Sequence, residues 1–363
     1  MKNQTAQPEY SCGGGFFPNL KNFVCKHALA ILVVAVAIAV PVGVASAKYT
    51  TATTAASDIK LTVEEDTTYI LSASTTENAI NALTTYPTSV KFVKGTEVPA
   101  GLTSSTELQT TQSTGKIGLF QNGTTVYIAP MSDSTPANNS AEISADEACD
   151  NLLAAESTNS EKDVLETVDL SNLNTSNATN MANMFKCRKA LKSIDLSGLD
   201  TQKVTNMGDM FYQCYALKTI TFGGKFKTSK VTKMSDMFNE CSKLATINNL
   251  DTFDTSSVTT MEGMFRQCAK LTSLNLKSFK TPKVTSMKNM FRACSTLKTI
   301  YVSADFVTTS LNSSGKTYMF TDCSALEGGA GTTYASKGVT NSTYACIDGG
   351  PDSSTPGYFT SAS

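Results

Sequence analysis

The pattern Met-x-x-Met-Phe returns five times at an almost fixed interval, and few folds can accommodate that. It stands at Met181–Phe185, Met207–Phe211, Met234–Phe238, Met261–Phe265 and Met287–Phe291, with successive first methionines 26, 27, 27 and 26 residues apart. A sixth, decayed copy keeps Met319, Phe320, Cys323 and Leu326 but has Lys316 in place of the first Met. A period of this length means that each unit is one supersecondary element, too small to bury its own apolar face. The units must therefore stack and share one interior.

Within a unit such as Met207-x-x-Met210-Phe211-x-x-Cys214-x-x-Leu217, the apolar residues fall at helical spacing, which predicts an amphipathic helix of about three turns. The following Leu217-Lys-Thr-Ile220-Thr-Phe222 ends in alternation, as do Leu191–Leu196 and Leu271–Leu276. That change of period predicts a short strand after the helix. A return segment such as Phe253–Thr259 closes the unit, and its last Thr is placed to cap the next helix. The expected fold is α/β: a leucine-rich-repeat-like solenoid of strand-plus-helix units over residues 143–327, preceded by a small β-rich region.

Ahead of the repeats, residues 28–44 are an uncharged apolar run between Lys21 and Lys26 on one side and Ala45-Ser46-Ala47 on the other. Residues 1–47 therefore read as a signal peptide or, if uncleaved, an N-terminal anchor, and either leaves the chain secreted or at the cell surface. Residues 48–57 read as a Thr/Ser-rich spacer, 58–130 as the β-rich region, 131–142 as a linker, and 328–363 as a Gly/Ser/Thr-rich tail. In the β-rich region the apolar runs Ile59–Val63, Tyr69–Ser72, Val90–Val93 and Ile117–Phe120 predict strands. Asn122-Gly123 before Thr125–Ile128 predicts a hairpin.

The repeat, with its Val-Thr-x-Met-x-x-Met-Phe-x-x-Cys core, resembles the BspA-like leucine-rich-repeat surface proteins of bacteria, also met in mycoplasmas and some protists. The resemblance covers about residues 165–326, and Val168–Thr179 resembles the family's first partial repeat. Ala178 in place of Val and Cys187 one position early are departures from the pattern. The resemblance implies surface display and adhesion, and it implies no catalytic residues.

The residues agree in finding no catalyst. The one histidine, His27, lies in the leader, so no imidazole remains for a Ser or Cys triad. An extracellular hydrolase built on residues 58–140 has no visible catalytic constellation. Cys214, Cys241, Cys268, Cys294 and Cys323 follow the repeat period, without a Cys-x-x-Cys pair. They read as a buried thiol column and not as metal ligands. Cys149–Cys187 and Cys323–Cys346 remain candidate disulfides of an exported chain. The Met-x-x-Met pairs read as packing, and no cofactor or metal is implied.

What remains is surface. Ser193, Asp195, Thr219, Thr221, Thr246, Asn248, Ser273, Asn275, Thr299 and Tyr301 are expected to point outward from the strands, beside Lys192, Lys218 and Lys298. Lys203, Lys230 and Lys283 form a second basic stripe. Residues 48–180 hold 17 Asp/Glu against 6 Lys/Arg, whereas residues 181–326 hold 20 Lys/Arg against 10 Asp/Glu. That surplus suits an acidic partner, and it equally suits a solubilising coat. The expected ligand face is Lys192, Asp195, Lys218, Thr221, Asn248, Asn275, Lys298 and Tyr301. Its expected partners are a host or neighbouring-cell surface protein or an anionic glycan. Nucleic acid is not expected, since no aromatic platform stands among the basic positions, and membrane contact is expected only through an uncleaved N-terminal segment. Two functions are open: an adhesin-like, non-catalytic binding protein, or a structural surface spacer with no dedicated ligand.

Overall fold

The computed structural model describes residues 48–50, 62–64, 68–83, 85–104, 106–139, 141–155 and 163–362. The leader expected at 1–47 lies outside them. The chain divides into two units, Met1–Thr67 and Thr68–Ser363. In the first, β1 (Lys48–Thr50), within the expected spacer, pairs antiparallel with β2 (Thr62–Glu64).

The second unit is rich in short strands and poor in helix. Helix α1 (Ala73–Asn81) is capped by Ser72, whose side chain accepts from the Thr75 N–H. Among the described residues no helix is long and apolar enough to cross a membrane. One sheet runs β5 (Lys116–Asn122), β6 (Thr125–Ser132), β4 (Ser89–Phe92), β9 (Thr167–Asp169), with β7 (Thr135–Pro136) also on β6. The β5–β6 hairpin forms where Asn-Gly predicted it, one residue displaced. Asn122 is the last paired residue, opposite Thr125, and Gly123 supplies the positive φ of 58° in the turn.

The connections differ from the expected division at one place and add one feature to it. Residues 131–142 are not a bare linker, because β6 extends to Ser132 and pairs with β7. The region before the repeats is also joined to them by parallel strands. β4 pairs with β9, while β3 (Ile70–Leu71), β8 (Ile143–Ala145) and β10 (Leu173–Asn174) form a second sheet. Tyr69, Val90, Phe92, Leu152, Phe185 and Phe359 accordingly lie in one continuous core.

The helix expected in each repeat does not form. Met207–Leu217 and its counterparts are runs of tight turns. The N–H groups of Tyr212 and Cys214 bond three residues back, to Asp209 and Phe211. Intervening N–H groups leave the unit altogether: Met207, Asp209, Phe211 and Gln213 donate to Lys233, Ser235, Met237 and Asn239 of the next repeat at 2.9–3.0 Å. In an α-helix those donors would be used internally. Positive φ enforces the change twice per unit. The first position is Asn183, Asp209, Asp236, Gly263, Asn289 and Tyr318, and the second is Cys187, Gln213, Glu240, Gln267, Ala293 and Asp322. Asn, Asp and Gly enter left-handed backbone most readily, and they fill the first position in the five intact repeats.

Each apolar residue then meets its own kind. Phe185, Phe211, Phe238, Phe265, Phe291 and Phe320 form a column, with ring centroids 5.3–5.9 Å apart and planes within 19°. The column cysteines each donate S–H to the preceding repeat's Phe carbonyl, as Cys241 does to Phe211 at 3.1 Å. Buried Thr175, Thr201, Thr228, Thr255 and Thr281 donate to a carbonyl of the following repeat at 2.7–2.9 Å. Thr205, Thr232, Thr259 and Thr285, expected as helix caps, instead donate to the Thr one repeat back at 3.1–3.2 Å.

Both ends of the stack are closed. At the front, Cys149-Asp150-Asn151-Leu152-Leu153 is an additional rung, with Asn151 at φ 61° and the Cys149 and Leu153 N–H groups donating to Asn180 and Met184. Arg188 takes the place of a column cysteine there and is buried. Its Nη1 lies 3.3 Å from Asp163, its Nε 2.5 Å from the Leu153 carbonyl and its Nη2 2.9 Å from that of Ala154. At the back, the Gly/Ser/Thr-rich tail is folded: β16 (Phe359–Ser361) adds in parallel to β15 (Thr299–Val302), and Tyr358 and Phe359 are fully buried.

Asp348 ties this closing segment together. One carboxylate oxygen accepts from the N–H groups of Ala330 and Thr332, both at 2.9 Å. The other accepts from Thr332 Oγ1 at 2.5 Å and from the N–H groups of Gly350 and Gly357 at 2.8 and 3.2 Å. Desolvation pushes its pKa upward, but the Thr332 hydroxyl and the Thr332, Gly350 and Gly357 N–H groups outweigh it and bring the pKa down to about 2.

Two outcomes follow from these contacts. Thr255 both donates to and accepts from the Lys280 backbone at 2.8 Å. Thr255→Val should cost about 1–3 kcal/mol in urea unfolding, and Thr259→Val, at an exposed position, under about 1 kcal/mol. Equal costs would contradict the bridging role. The Asp348 carboxylate has its pKa lowered from 3.8 to about 2, so it stabilises the fold fully above about pH 4 and loses that effect as pH falls toward 2. The gap in denaturation midpoint between the native chain and Asp348→Asn should be wide at pH 6 and close on approach to pH 2.

Candidate functional site

The strands β11 (Ser193–Leu196), β12 (Thr219–Phe222), β13 (Thr246–Asn248), β14 (Ser273–Leu276) and β15 carry the surface that the repeats present. Alternation sends Ile194, Leu196, Ile220, Phe222, Leu274, Leu276, Ile300 and Val302 into the core. The residues between them face outward in register. Ser193, Thr219 and Thr246 form one row, and Asp195, Thr221 and Asn248 form another. Ser273 lies beside Thr299, and Asn275 beside Tyr301, a residue 39% exposed.

The lysines do not make a continuous stripe. Lys192 Nζ lies 2.6 Å from Glu166, and Lys298 Nζ lies 3.7 Å from Glu327. Such exposed pairs add little stability, but they cancel the charge a ligand would meet. Lys218 is exposed, with Ala245 and Thr272 at the corresponding places in the next two repeats. In the other stripe, Lys203 Nζ donates to Asn177 at 2.8 Å, and Lys230 and Lys283 are exposed.

Between β11 and β15 the strand row is broken at one place. β11, β12 and β13 form one parallel sheet and β14, β15 and β16 another, and β13 does not pair with β14. The turns on the opposite side continue without interruption, through bridges Asn206–Lys233, Lys233–Thr260 and Thr260–Ser286. The cause of the break is local. Where Leu196, Phe222, Leu276 and Val302 insert an apolar side chain, this repeat has Asn249, at φ 64°. The left-handed residue ends the strand and starts a 3-10 turn at Leu250–Thr252. Asn249 Nδ2 donates to the Phe222 carbonyl at 2.6 Å, which holds the kink in place.

A cleft of about 220 Å³ opens at the break. Its polar lining is Asn248, Asn249, Asp251, Ser273 and Asn275, and its apolar lining includes Ile247, Leu250, Leu271 and Leu274. Ile247 is only half-buried, although its counterparts Ile194, Ile220, Leu274 and Ile300 are fully covered. Side chains span the gap that backbone bonds do not. Asn275 Nδ2 approaches Asp251 Oδ2 at 3.4 Å, and Lys277 Nζ approaches the same oxygen at 3.4 Å. Asn248 Nδ2 donates to Thr221 Oγ1 at 3.1 Å.

Of the expected face, Asn248 and Asn275 line this cleft. Thr221 touches Asn248, and Tyr301 flanks Asn275. Asp195, Lys192, Lys218 and Lys298 stand elsewhere on the surface. Asn249, Asp251 and Ser273 were not among the expected face residues. The signal for Asn249 is its polarity at a position that is apolar in the four neighbouring units.

Among the described residues the thiols offer no second chemistry. Burial raises the pKa values of Cys214, Cys241, Cys268 and Cys294 well above the ordinary thiol range, and that of Cys323 to about 12. Thiols held protonated in this way are poor nucleophiles. Neither candidate disulfide forms: all eight described cysteines are free, with Cys323 Sγ on the Phe291 carbonyl and Cys346 Sγ on that of Pro356. On the turn side, Tyr215 Oη and Gln213 Nε2 donate to Glu240 at 3.0 and 3.1 Å, a polar group that is satisfied internally.

Residues 159–222 and 216–334 match a family described as Mycoplasma protein of unknown function, DUF285. That repeat family is associated with BspA-like surface proteins, and the chain is similar to it over the repeats. No curated protein and no solved structure matches the chain.

If the left-handed kink opens the cleft, side-chain shape at 249 should rank stability. Asn249→Gly keeps the backbone and loses one hydrogen bond, a cost of about 1 kcal/mol. Asn249→Leu also strains a bulky residue at positive φ and should cost about 1–2 kcal/mol more by chemical denaturation. A leucine as stable as the native residue would show that the break has another origin.

Proposed function

We propose that this chain is a non-catalytic, adhesin-like binding protein, secreted or held at the cell surface. In this reading its repeats form one solenoid of the BspA-like kind, and partners are met on the strand face. The observation that supports this most is the arrangement of that face. Outward side chains align in rows over a buried, closely stacked interior, and the interruption of the rows between β13 and β14 is a lined cleft. Loss of pairing between β13 and β14 sacrifices ladder hydrogen bonds, which a purely structural stack would retain. The surface-repeat family matched over residues 159–334 is compatible with the same reading.

A structural spacer is the second reading, and the pairing of Lys192 with Glu166 and Lys298 with Glu327 favours it. The two separate by experiment. The full chain, presented to arrays of matrix proteins, cell-surface proteins and glycans, should bind saturably to at least one member. A Thr221→Glu, Tyr301→Glu double variant should weaken that binding tenfold or more with the fold intact by circular dichroism. Charge-driven contact through Lys218 would weaken further near 0.5 M salt, where screening is nearly complete. Silence across every array would favour the spacer.

A further inference from the structure

We infer that the cleft between β13 and β14 binds a neutral sugar unit, an assignment that rests on the strand face being the binding surface. The charge balance comes first. Asp251 is the only charged residue in the lining, and Lys277 Nζ stands 3.4 Å from its carboxylate. An anionic ligand meets that carboxylate, and a cationic one must displace the lysine. A neutral ligand does neither.

The hydrogen-bonding capacity comes second. Sugar hydroxyls each donate and accept, so they need a wall offering both. Asn248, Asn249 and Asn275 carry amide donors and acceptors, Ser273 carries a hydroxyl, and Asp251 accepts only. Asn275 and Asp251 lie across the gap from one another at 3.4 Å, a long and weak contact that a hydroxyl can replace by bridging.

The floor and the size come third. A pyranose has a C–H face as well as hydroxyls, and half-buried Ile247 offers an apolar surface that Ile194, Ile220, Leu274 and Ile300 bury. The volume of about 220 Å³ corresponds to about seven waters at ~30 Å³ each, the scale of one ring with its hydroxyls. The cleft would thus take a single unit, terminal or side-branched, of a larger glycan.

The test is saturation-transfer NMR and calorimetry on the full chain, with glucose, galactose, mannose and N-acetylglucosamine as neutral probes and glucuronic and sialic acids as anionic ones. At least one neutral sugar should bind, with a Kd near the millimolar range ordinary for a small ligand making few contacts. Asn275→Leu and Ser273→Leu, both at exposed positions, should each weaken it tenfold or more, while Lys337→Glu, exposed in the closing segment, leaves it unchanged. Binding that survives both leucine variants, or a preference for the acidic sugars, overturns the assignment. So does an absence of sugar binding, and if the face still captures a protein on the arrays, the wider reading stands while the sugar site falls. Silence in both experiments removes the two together.

Discussion

Every other feature of the repeats depends on one geometric condition. After each 26 or 27 residues the backbone must return so that its N–H groups meet the carbonyls of the neighbouring unit. The condition is strict because the bonds recur at every second residue through the turns, from Met207 to Gln213 and again from Met234 to Glu240. A shift of one residue would unpair the whole set and bury donors and acceptors without partners, which is far costlier than one lost contact. Like residues fall on like for this reason: Phe on Phe, and cysteine on the carbonyl of the preceding Phe. The threonines extend the same bonding with side chains where the backbone alone cannot reach.

Such a stack has two exposed ends, and both are managed. An unpaired rung presents a row of free backbone groups to solvent and to other chains. The front is covered by the rung at Cys149–Ala155, where the buried Arg188–Asp163 pair replaces a thiol. The guanidinium also satisfies the Leu153 and Ala154 carbonyls, so the charge does chemistry that a cysteine could not. The back is covered by β16 and the loop that Asp348 organises. Neither end resembles a repeat in sequence, since each must match a rung on one side and water on the other.

This explains what could be read before the structure. The period, the inward set and the alternation on the strands follow from Met, Phe, Cys and Leu spacing alone. The conformation of the Met-x-x-Met-Phe segment does not, because spacing of three and four suits a helix and a string of turns equally well. The deciding residues are Asn183, Asp209, Asp236, Gly263 and Asn289, polar or small at a position where a helix would accept anything. Read for their tolerance of left-handed backbone, they exclude the helix. The front rung stayed hidden because Cys149, Leu152 and Leu153 keep the spacing of Met, Met and Phe while changing each residue type. The closing segment was illegible for another reason: its order comes from one carboxylate gathering distant N–H groups, which leaves no periodic trace.

The candidate site follows from the same condition by exception. Where pairing is complete, the backbone has no hydrogen-bonding capacity left, and a ligand finds only side-chain tips on a nearly flat surface. Asn249 removes that completeness at one place without disturbing the turns opposite, where Lys233, Thr260 and Ser286 remain bridged. The interruption is therefore local, held by its own hydrogen bond to Phe222, and surrounded by rigid units on both sides. Pre-formed polar groups on rigid elements lose little entropy when a partner arrives, which is the advantage that a site in a flexible loop lacks. A repeat protein gains a specific pocket most readily by breaking its own pattern once, and a polar residue in an otherwise apolar column is how that break is written into the chain.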